Sequence, residues 1–210
     1  YGHTTRWATS RRNWGFLSGD VRHVLQGWRP EEELAQQLPK DMGRWEGLAR
    51  DQYVEASTLL YGYLLSSQGD RVAMANSVEG RVPYLDHRVI EFANALPARL
   101  KLRRLREKAV LRQALRPMLP SSIVNRTKQP YRAPDSASFF EAGHAPEYVR
   151  HQFSAGRLAE AGLFEPAMAS RLFEKCRAGK ALGFADNMAF VGILSTMILE
   201  DKFVQGRSLE

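Results

Sequence analysis

The 210-residue chain has an ordinary globular composition, with 44% hydrophobic and 25% charged residues, and it carries a net charge of +7 at neutral pH. Its one cysteine excludes an internal disulfide and a zinc site built from cysteines, and it favours a reducing, cytoplasmic location. The longest nearly apolar run, residues 188–199, is shorter than the roughly 20 residues that cross a membrane, so we expect no membrane segment.

The first part of the chain contains patterns for two helices. Pro30 and the three glutamates after it are typical of a helix start, since proline suits the first turn and acids suit the positive end of the helix dipole. We expect this helix to end before Pro39. Apolar residues at three- and four-residue steps over residues 45–64 predict a longer helix, which we expect Gly69 and Asp70 to interrupt or end.

Capping residues and prolines predict further helices. Asp86 can cap a helix that stops before Pro97, and an apolar stripe over residues 109–115 predicts the next helix. Pro146 and Pro166 are each typical of the first turn of a helix.

The last helix is predicted from Asn187 to about Phe203, with Asp186 as its cap. It is apolar on several faces, which is typical of a central helix. No segment alternates apolar and polar residues for long, and no Asn-Gly or Asp-Gly hairpin turn occurs. The predicted fold class is therefore all-α.

The positive charge is concentrated in residues 99–132. This segment has eleven lysines or arginines and a single acid, Glu107. A local excess of positive charge favours an anionic ligand, which could be a phosphate, a nucleic acid or an acidic partner. A solvated basic face without a ligand is the alternative.

Two polar segments are candidates for a functional site. Residues 69–87 combine acids and arginines between two helices, and they predict either a buried ionic corner or the polar wall of a pocket. The second segment, residues 125–138, is irregular and contains Lys128, which suits a point charge on a polyphosphate. Lys108 is a second candidate phosphate contact, with an ordinary helix-surface lysine as the alternative.

Several common catalytic motifs are missing from the sequence. There is no phosphate-binding P-loop, no dinucleotide-binding glycine motif, no nucleophile elbow and no histidine pair with the spacing of a zinc site. Cys176 is predicted to be an ordinary buried cysteine.

Three segments resemble a known family when they are taken in order. They are GDRVAMANSVEGRVPYLDHRVIEFANALP over residues 69–97, REKAVLRQAL over residues 106–115 and LPSSIVNRTKQPYRAP over residues 119–134. They resemble the synthetase domain of glutamine-dependent asparagine synthetases, whose relatives include β-lactam-forming amidotransferase homologues. The resemblance is strongest over residues 53–134.

The resemblance implies a fold and a reaction. The fold would be the helical part of an adenine-nucleotide-hydrolase-like synthetase domain, without its nucleotide-loop sheet. With ATP and Mg²⁺, such enzymes activate the side-chain carboxylate of aspartate as an acyl-adenylate. Ammonia released from glutamine in a separate domain then attacks the adenylate.

The resemblance also implies roles for six residues. Lys128 matches the family lysine that contacts pyrophosphate and the transition state, and Lys108 matches the lysine of a K-x-x-L-R helix, a phosphate contact. Some members carry a catalytic acidic residue in the helix just before this region, where alignment without gaps puts Leu65. Either Asp70 serves in its place or the chain has no equivalent. The remaining three residues match a block that shapes the substrate pocket: Glu79, Arg81 and Asp86.

Other family motifs are missing from the chain. It contains neither the Ser-Gly-Gly-x-Asp-Ser nucleotide loop nor the Gly-Glu-Gly-x-Asp-Glu segment, and Tyr1 is not the glutaminase cysteine. We therefore expect a fragment that is inactive alone and depends on nucleotide-loop and glutaminase domains upstream in the same polypeptide. The predicted divisions are an irregular, helical segment (1–52), the helical part of the synthetase domain (53–206) and a tail that could be a cloning scar (207–210).

Two other functions remain open from the sequence. A basic helical module that binds nucleic acid would use the charge of residues 99–132, although leucines interrupt that segment with a core-forming stripe. A helical scaffold that has lost catalysis is the second alternative.

Overall fold

The computed structural model describes residues 2–129, 135–180 and 183–207. The α-helices are, in chain order, α1 (Thr4–Arg12), α2 (Gly19–Val24), α3 (Pro30–Gln37), α4 (Gly47–Glu55), α5 (Arg71–Ala75), α6 (His87–Ala95), α7 (Ala98–Lys101), α8 (Ala109–Leu115), α9 (Ser121–Val124), α10 (Glu147–Gln152), α11 (Ala155–Ala161), α12 (Pro166–Arg177) and α13 (Phe184–Leu199). The π-helices are Ala56–Asp70 and Glu200–Val204, and short 3₁₀ turns cover Asn13–Phe16, Met42–Arg44, Pro83–Leu85 and Asp135–Phe139. In the part of the chain that the structure describes, strands are confined to β1 (Leu102–Arg103) and β2 (Arg106–Glu107), so the prediction of a helical fold is confirmed.

The chain forms two compact units. The first contains residues 1–2 and 31–129, and the second contains residues 3–30 and 130–210. The predicted division between residues 52 and 53 falls inside α4, within the first unit. As a statement about domains, that division stays a prediction.

The second unit has a well-packed hydrophobic core around α13. Phe190 on this helix is fully buried, and its ring lies 4.8 Å from that of Phe153 and 5.5–5.7 Å from those of Phe139 and Phe140. Aliphatic side chains from the neighbouring helices complete the core: Val149, Leu158 and Leu172. The prediction that the last helix is central therefore holds for this unit.

The first unit buries little apolar surface. Among its described residues, the buried hydrophobic side chains are Met42, Val54 and Val124. Nine large apolar side chains of the same unit are more than half exposed: Tyr61, Val72, Met74, Val78, Val82, Tyr84, Phe92, Leu105 and Met118.

Several predicted helix ends are confirmed. Helix α3 begins at Pro30 and ends before Pro39, and Pro166 is the first residue of α12. Asp86 caps α6, because its side chain accepts a hydrogen bond from the backbone of Arg88. The predicted stripe over residues 109–115 is helix α8. Pro146 lies one residue earlier than predicted, because it is the N-cap of α10 and not part of its first turn.

The long helix does not end at Gly69 and Asp70, which were predicted to interrupt or end it; the helix type changes there from π to α. Helix α4 continues as the π-helix Ala56–Asp70 and then as α5, so the backbone stays helical from Gly47 to Ala75. Gly69 suits this path, since a Cβ atom there would lie only 3.0 Å from the carbonyl oxygen of Leu64. Glycine therefore permits a close approach here and does not break the helix.

Two further predictions, for the start of the last helix and for the absence of strands, are corrected by the structure. Helix α13 begins at Phe184 after Gly183, so Asp186 lies in its first turn and does not cap it. Its carboxylate pairs instead with Lys175, at 2.6 Å. The structure also contains a β-hairpin, which was not predicted, because no strand or hairpin pattern occurs in the sequence.

The hairpin forms without the usual glycine turn. Leu102 pairs with Glu107 and Arg103 with Arg106. The two turn residues, Arg104 and Leu105, both have positive φ, of 49° and 62°. Positive φ at both positions is the geometry of a type I′ turn, which Asn-Gly normally supplies.

Candidate functional site

A pocket of about 260 Å³ in the first unit contains both of the lysines that were predicted as phosphate contacts. Lys108 directly precedes α8, and Lys128 lies in the irregular segment after α9. Two arginines, Arg112 and Arg126, also line the pocket, together with apolar side chains of α8, α9 and the connection between them: Leu111, Leu115, Leu119, Ile123 and Val124. Four cationic side chains around one pocket suit an anionic ligand.

Lys108 has an unusual backbone conformation. Its φ and ψ are 56° and 36°, in the left-handed region, where a non-glycine residue costs roughly 1–2 kcal/mol. At this residue the chain turns from strand β2 into helix α8. Non-glycine residues held in such conformations cluster at functional sites, so the backbone strain agrees with a role for Lys108.

Lys128 has a weak ionic partner. Its Nζ lies 4.0 Å from Oε2 of Glu107, and its side chain is 62% exposed. An exposed pair at this distance contributes little free energy. The amine can therefore turn to an anion in the pocket at small cost.

Arg112 connects the two segments that carry these lysines. Its Nε donates to the carbonyl oxygen of Glu107 at 3.2 Å, and its Nη1 donates to the carbonyl oxygens of Arg126, at 3.1 Å, and of Val124. All three acceptors belong to the backbone. The guanidinium group thus joins the end of the hairpin to the segment that leads to Lys128.

None of residues 69–87 is buried, and all but the half-buried Ala73, Leu85 and Asp86 are exposed, so the predicted buried ionic corner is wrong. Arg81 Nη2 lies 3.1 Å from Glu79 Oε2, and these side chains are 83% and 72% exposed. Asp70 ends the π-helix, is also exposed, and has no side-chain hydrogen bond or ion pair to any described residue. The segment is polar and accessible, which is compatible with the wall of a pocket.

Asp86 has a clear structural role. Its carboxylate accepts hydrogen bonds from the backbone N–H of Arg88 at 2.9 Å and from the guanidinium of Arg88 at 3.0 and 2.7 Å. These side-chain bonds first, and the backbone bond second, lower the pKa of Asp86 below its ordinary value. The residue therefore stays ionised and holds the start of α6.

The structure brings together two of the six predicted site residues. Lys108 and Lys128 share a pocket, whereas no hydrogen bond or ion pair between described residues joins either lysine to the other four. Within residues 2–129, 135–180 and 183–207, no cluster of three histidine, cysteine or acidic side chains could hold a metal ion. Pro130 to Pro134, which belong to the predicted loop, lie outside the described residues.

The two arginines that line the pocket were not singled out as site residues from the sequence. Arg126 was counted only as part of the basic segment. Arg112 is the arginine of the K-x-x-L-R pattern, so the motif contained the signal, but its contacts to three carbonyl groups depend on the folded path of residues 124–126. Sequence spacing alone does not reveal such contacts.

Comparison with known proteins agrees with the pattern of motifs. The family model for asparagine synthase matches residues 3–200. A putative glutamine-hydrolysing asparagine synthetase of Mycobacterium tuberculosis is 33% identical over 148 residues, which is 69% of this chain and 20% of the relative. Asparagine synthetase 3 of Bacillus subtilis is 36% identical over 120 residues, 57% of this chain and 18% of the relative.

A third relative has a different name. The amidase chyE of Penicillium rubens is 37% identical over 97 residues, which is 43% of this chain and 14% of the relative. No solved structure matches the chain significantly.

The extent of these matches decides the family. The chain spans about a fifth of the length of the first of these curated relatives, and the family model covers nearly all of the chain. No described helix is long and apolar enough to cross a membrane. This chain belongs to the asparagine synthase family.

Proposed function

We propose that this chain is part of an ATP-dependent carbon–nitrogen ligase of the amidotransferase type that converts aspartate to asparagine. Members of the asparagine synthase family use ATP. The observation that carries the proposal is the pocket in which Lys108 and Lys128 come together with two arginines. Such a pocket suits the pyrophosphate that leaves when a carboxylate is adenylated.

The proposed reaction has two steps. An oxygen of the aspartate side-chain carboxylate attacks the α-phosphorus of ATP, and the bond to the leaving pyrophosphate breaks. Ammonia derived from glutamine then attacks the activated carbonyl carbon, AMP leaves, and the nitrogen loses a proton. Negative charge therefore builds on pyrophosphate in the first step, and a proton acceptor is needed in the second.

The proposed roles of the residues follow from these needs. Lys128 neutralises the developing charge on pyrophosphate, and Lys108 contacts a phosphate from the opposite segment of the pocket. Asp70 is the proposed proton acceptor, and its exposed carboxylate is compatible with this role. Three residues would shape the substrate side of the site: Glu79, Arg81 and Asp86.

We propose no role for the described residues in holding Mg²⁺. They contain no cluster of three suitable side chains, and the pocket itself is lined by cations. Oxygen ligands and carboxylates are what Mg²⁺ requires. The donor set of this pocket therefore fits the phosphates and does not fit the metal ion.

The partner that we propose for the first unit is the upstream, nucleotide-loop part of the same polypeptide. Among the described residues of this unit, nine large apolar side chains are more than half exposed and few are buried, which is unusual for a surface that faces water alone. We also propose that the isolated chain has no synthetase activity, because the nucleotide loop is missing from its sequence. Release of pyrophosphate by this chain in the presence of ATP and aspartate would contradict that proposal.

Cys176 supports the proposed cytoplasmic location only indirectly. It is buried and unpaired, and burial first of all raises the pKa of its thiol above the ordinary value. In a reducing compartment such a cysteine stays a free thiol and packs as a small apolar residue.

The test of the proposed function is the Lys128→Ala substitution in the intact protein. We expect aspartate-dependent exchange of pyrophosphate into ATP to be abolished, while hydrolysis of glutamine continues. Arg116→Ala is a matched control, because Arg116 is an exposed cation at the end of the same α8 and does not line the pocket. Exchange at the wild-type rate in Lys128→Ala would exclude the assigned role of this lysine.

A further inference from the structure

The guanidinium group of Arg112 is directed at the protein backbone. Its three acceptors are the carbonyl oxygens of Glu107, Val124 and Arg126, and the side chain is half-buried. An arginine that bound the ligand itself would direct its donors into the pocket. Here Nε and Nη1 of Arg112 already donate to carbonyl groups of the backbone.

These carbonyl groups flank the two lysines. Glu107 directly precedes Lys108, and Arg126 is two residues before Lys128. The two segments are separated in sequence by α8, the following connection and α9. The contacts of Arg112 are therefore the hydrogen bonds that hold one lysine-bearing segment against the other.

Positive charge opposes this arrangement. Lys108, Arg126 and Lys128 line one pocket, and like charges at close range repel. The planar fork of an arginine can donate to several carbonyl groups at once, whereas a lysine has one compact ammonium group. Arg112 is suited to offset the repulsion, because its charge is directed to the partial negative charges of carbonyl oxygens.

We infer that Arg112 is a positioning residue, which holds the two backbone segments that carry Lys108 and Lys128 at a fixed separation, so that the pocket prefers a diphosphate to a single phosphate. This inference rests on the proposed function, because it assumes that the two lysines bind the pyrophosphate group. A diphosphate can contact both amines at once, and it does so at a lower entropic cost when the segments that carry them are held together. A single phosphate needs one of them at a time, so its affinity depends little on their separation.

The test measures the binding of inorganic pyrophosphate and of inorganic phosphate to the intact protein by calorimetry. For Arg112→Lys we expect pyrophosphate affinity to fall by about tenfold, comparable to the loss of supporting hydrogen bonds behind metal ligands. Phosphate affinity should change much less, so the ratio of the two affinities falls. Arg116→Lys makes the same substitution at an exposed arginine at the end of α8 that does not line the pocket, and it should leave the ratio unchanged.

A double-mutant cycle separates positioning from direct contact. Arg112→Lys should have little further effect on pyrophosphate binding when Lys128→Ala is already present, since there is then no second amine to position. Fully additive effects would overturn the inference, as would a loss of affinity that is equal for both anions.

The outcomes also distinguish this inference from the proposed function. If Lys108→Ala and Lys128→Ala weaken pyrophosphate binding but Arg112→Lys does not, the inference is wrong and the proposed function stands. If neither lysine variant changes pyrophosphate binding, the proposed function itself fails. Should Arg112→Lys lower the unfolding temperature, Arg112→Gln tests the same affinity ratio, and an unchanged ratio in the folded protein overturns the inference.

Discussion

Arg157 forms the main buried ionic contact in the described part of the second unit, and its removal gives the sharpest stability prediction. Its side chain is 2% exposed, and its guanidinium pairs with Glu200 and with Asp201, whose Oδ1 lies 2.6 Å from Nη2. Gln152 also donates to Asp201. Arg157→Met would keep an unbranched, apolar stem and remove the charged guanidinium group.

The expected cost follows from the burial of the two carboxylates. The Asp201 side chain is 3% exposed, and without Arg157 its closest remaining cation is Arg207, at 3.4 Å. Removing one partner of a buried pair costs about 3–5 kcal/mol, because the other charge stays buried. Since Arg207 remains, we expect a loss of about 3 kcal/mol in the free energy of unfolding, at the lower end of that range.

The loss should depend on pH in a defined direction. Burial by itself would raise the pKa of Asp201, but hydrogen bonds from Gln152 and Arg157 and the nearby arginine charges together lower it below its ordinary value of 3.8. In the wild-type chain the stabilisation is therefore present above that pH, and it is lost as the pH falls through the lowered pKa. In Arg157→Met the carboxylates are unfavourable when charged, so the deficit should be largest at pH 7 and smaller at about pH 4.

Urea unfolding of the chain, followed by circular dichroism at pH 7 and at pH 4, measures this difference. Arg150→Met is a suitable control, because Arg150 forms an exposed pair with Glu147 and should cost no more than about 1 kcal/mol. A deficit below about 1 kcal/mol for Arg157→Met at pH 7, or one that is equal at both pH values, would refute the reasoning.

Three other substitutions or reactions test separate features. Phe190→Ala should lower the free energy of unfolding by about 3–5 kcal/mol, since the ring is fully buried among other phenylalanines, and urea unfolding would measure it. Lys108→Gly should relieve the left-handed backbone and raise stability by about 1 kcal/mol in thermal unfolding, yet weaken pyrophosphate binding; a loss of stability would show that the strain is not stored there. Cys176, which is buried and has a raised thiol pKa, should react with a thiol reagent at pH 8 much more slowly in the native chain than in urea.

Local sequence signals predicted many of the helix ends correctly. The signal at Asp86 is a short side chain that bonds its own backbone two residues later, and the signal at Pro166 is a fixed φ, so both act within one turn. The stripe over residues 109–115 likewise needs only its own spacing. Features that depend on a few neighbouring residues were therefore predictable.

Features that depend on contacts between distant residues could not be predicted from the sequence. Arg104 and Leu105 in the hairpin turn have positive φ, although neither is a residue that favours this conformation. No local sequence pattern therefore predicts the turn. The π-helix passes through Gly69, where an interruption or end was predicted. The prediction failed because the sequence does not distinguish a glycine inside a helix from a glycine that follows one.

The candidate site shows the same division. The motifs indicated Lys108 and Lys128, and the structure brings both into one pocket. The contacts of Arg112 could not be predicted in this way, because they depend on the folded backbone of residues 124–126, which brings two carbonyl groups to its guanidinium. Exposure of Glu79 and Arg81 also depends on tertiary structure, since charged pairs close in sequence can lie either inside or outside a protein.

Isotope transfer in the intact protein tests the central claim most directly. Aspartate labelled with oxygen-18 in its side-chain carboxylate would be incubated with ATP and ammonia, and the products would be analysed by mass spectrometry. The proposed adenylation predicts that one labelled oxygen appears in AMP, together with the formation of pyrophosphate and asparagine. Label in inorganic phosphate together with ADP, or unlabelled AMP, would contradict the account.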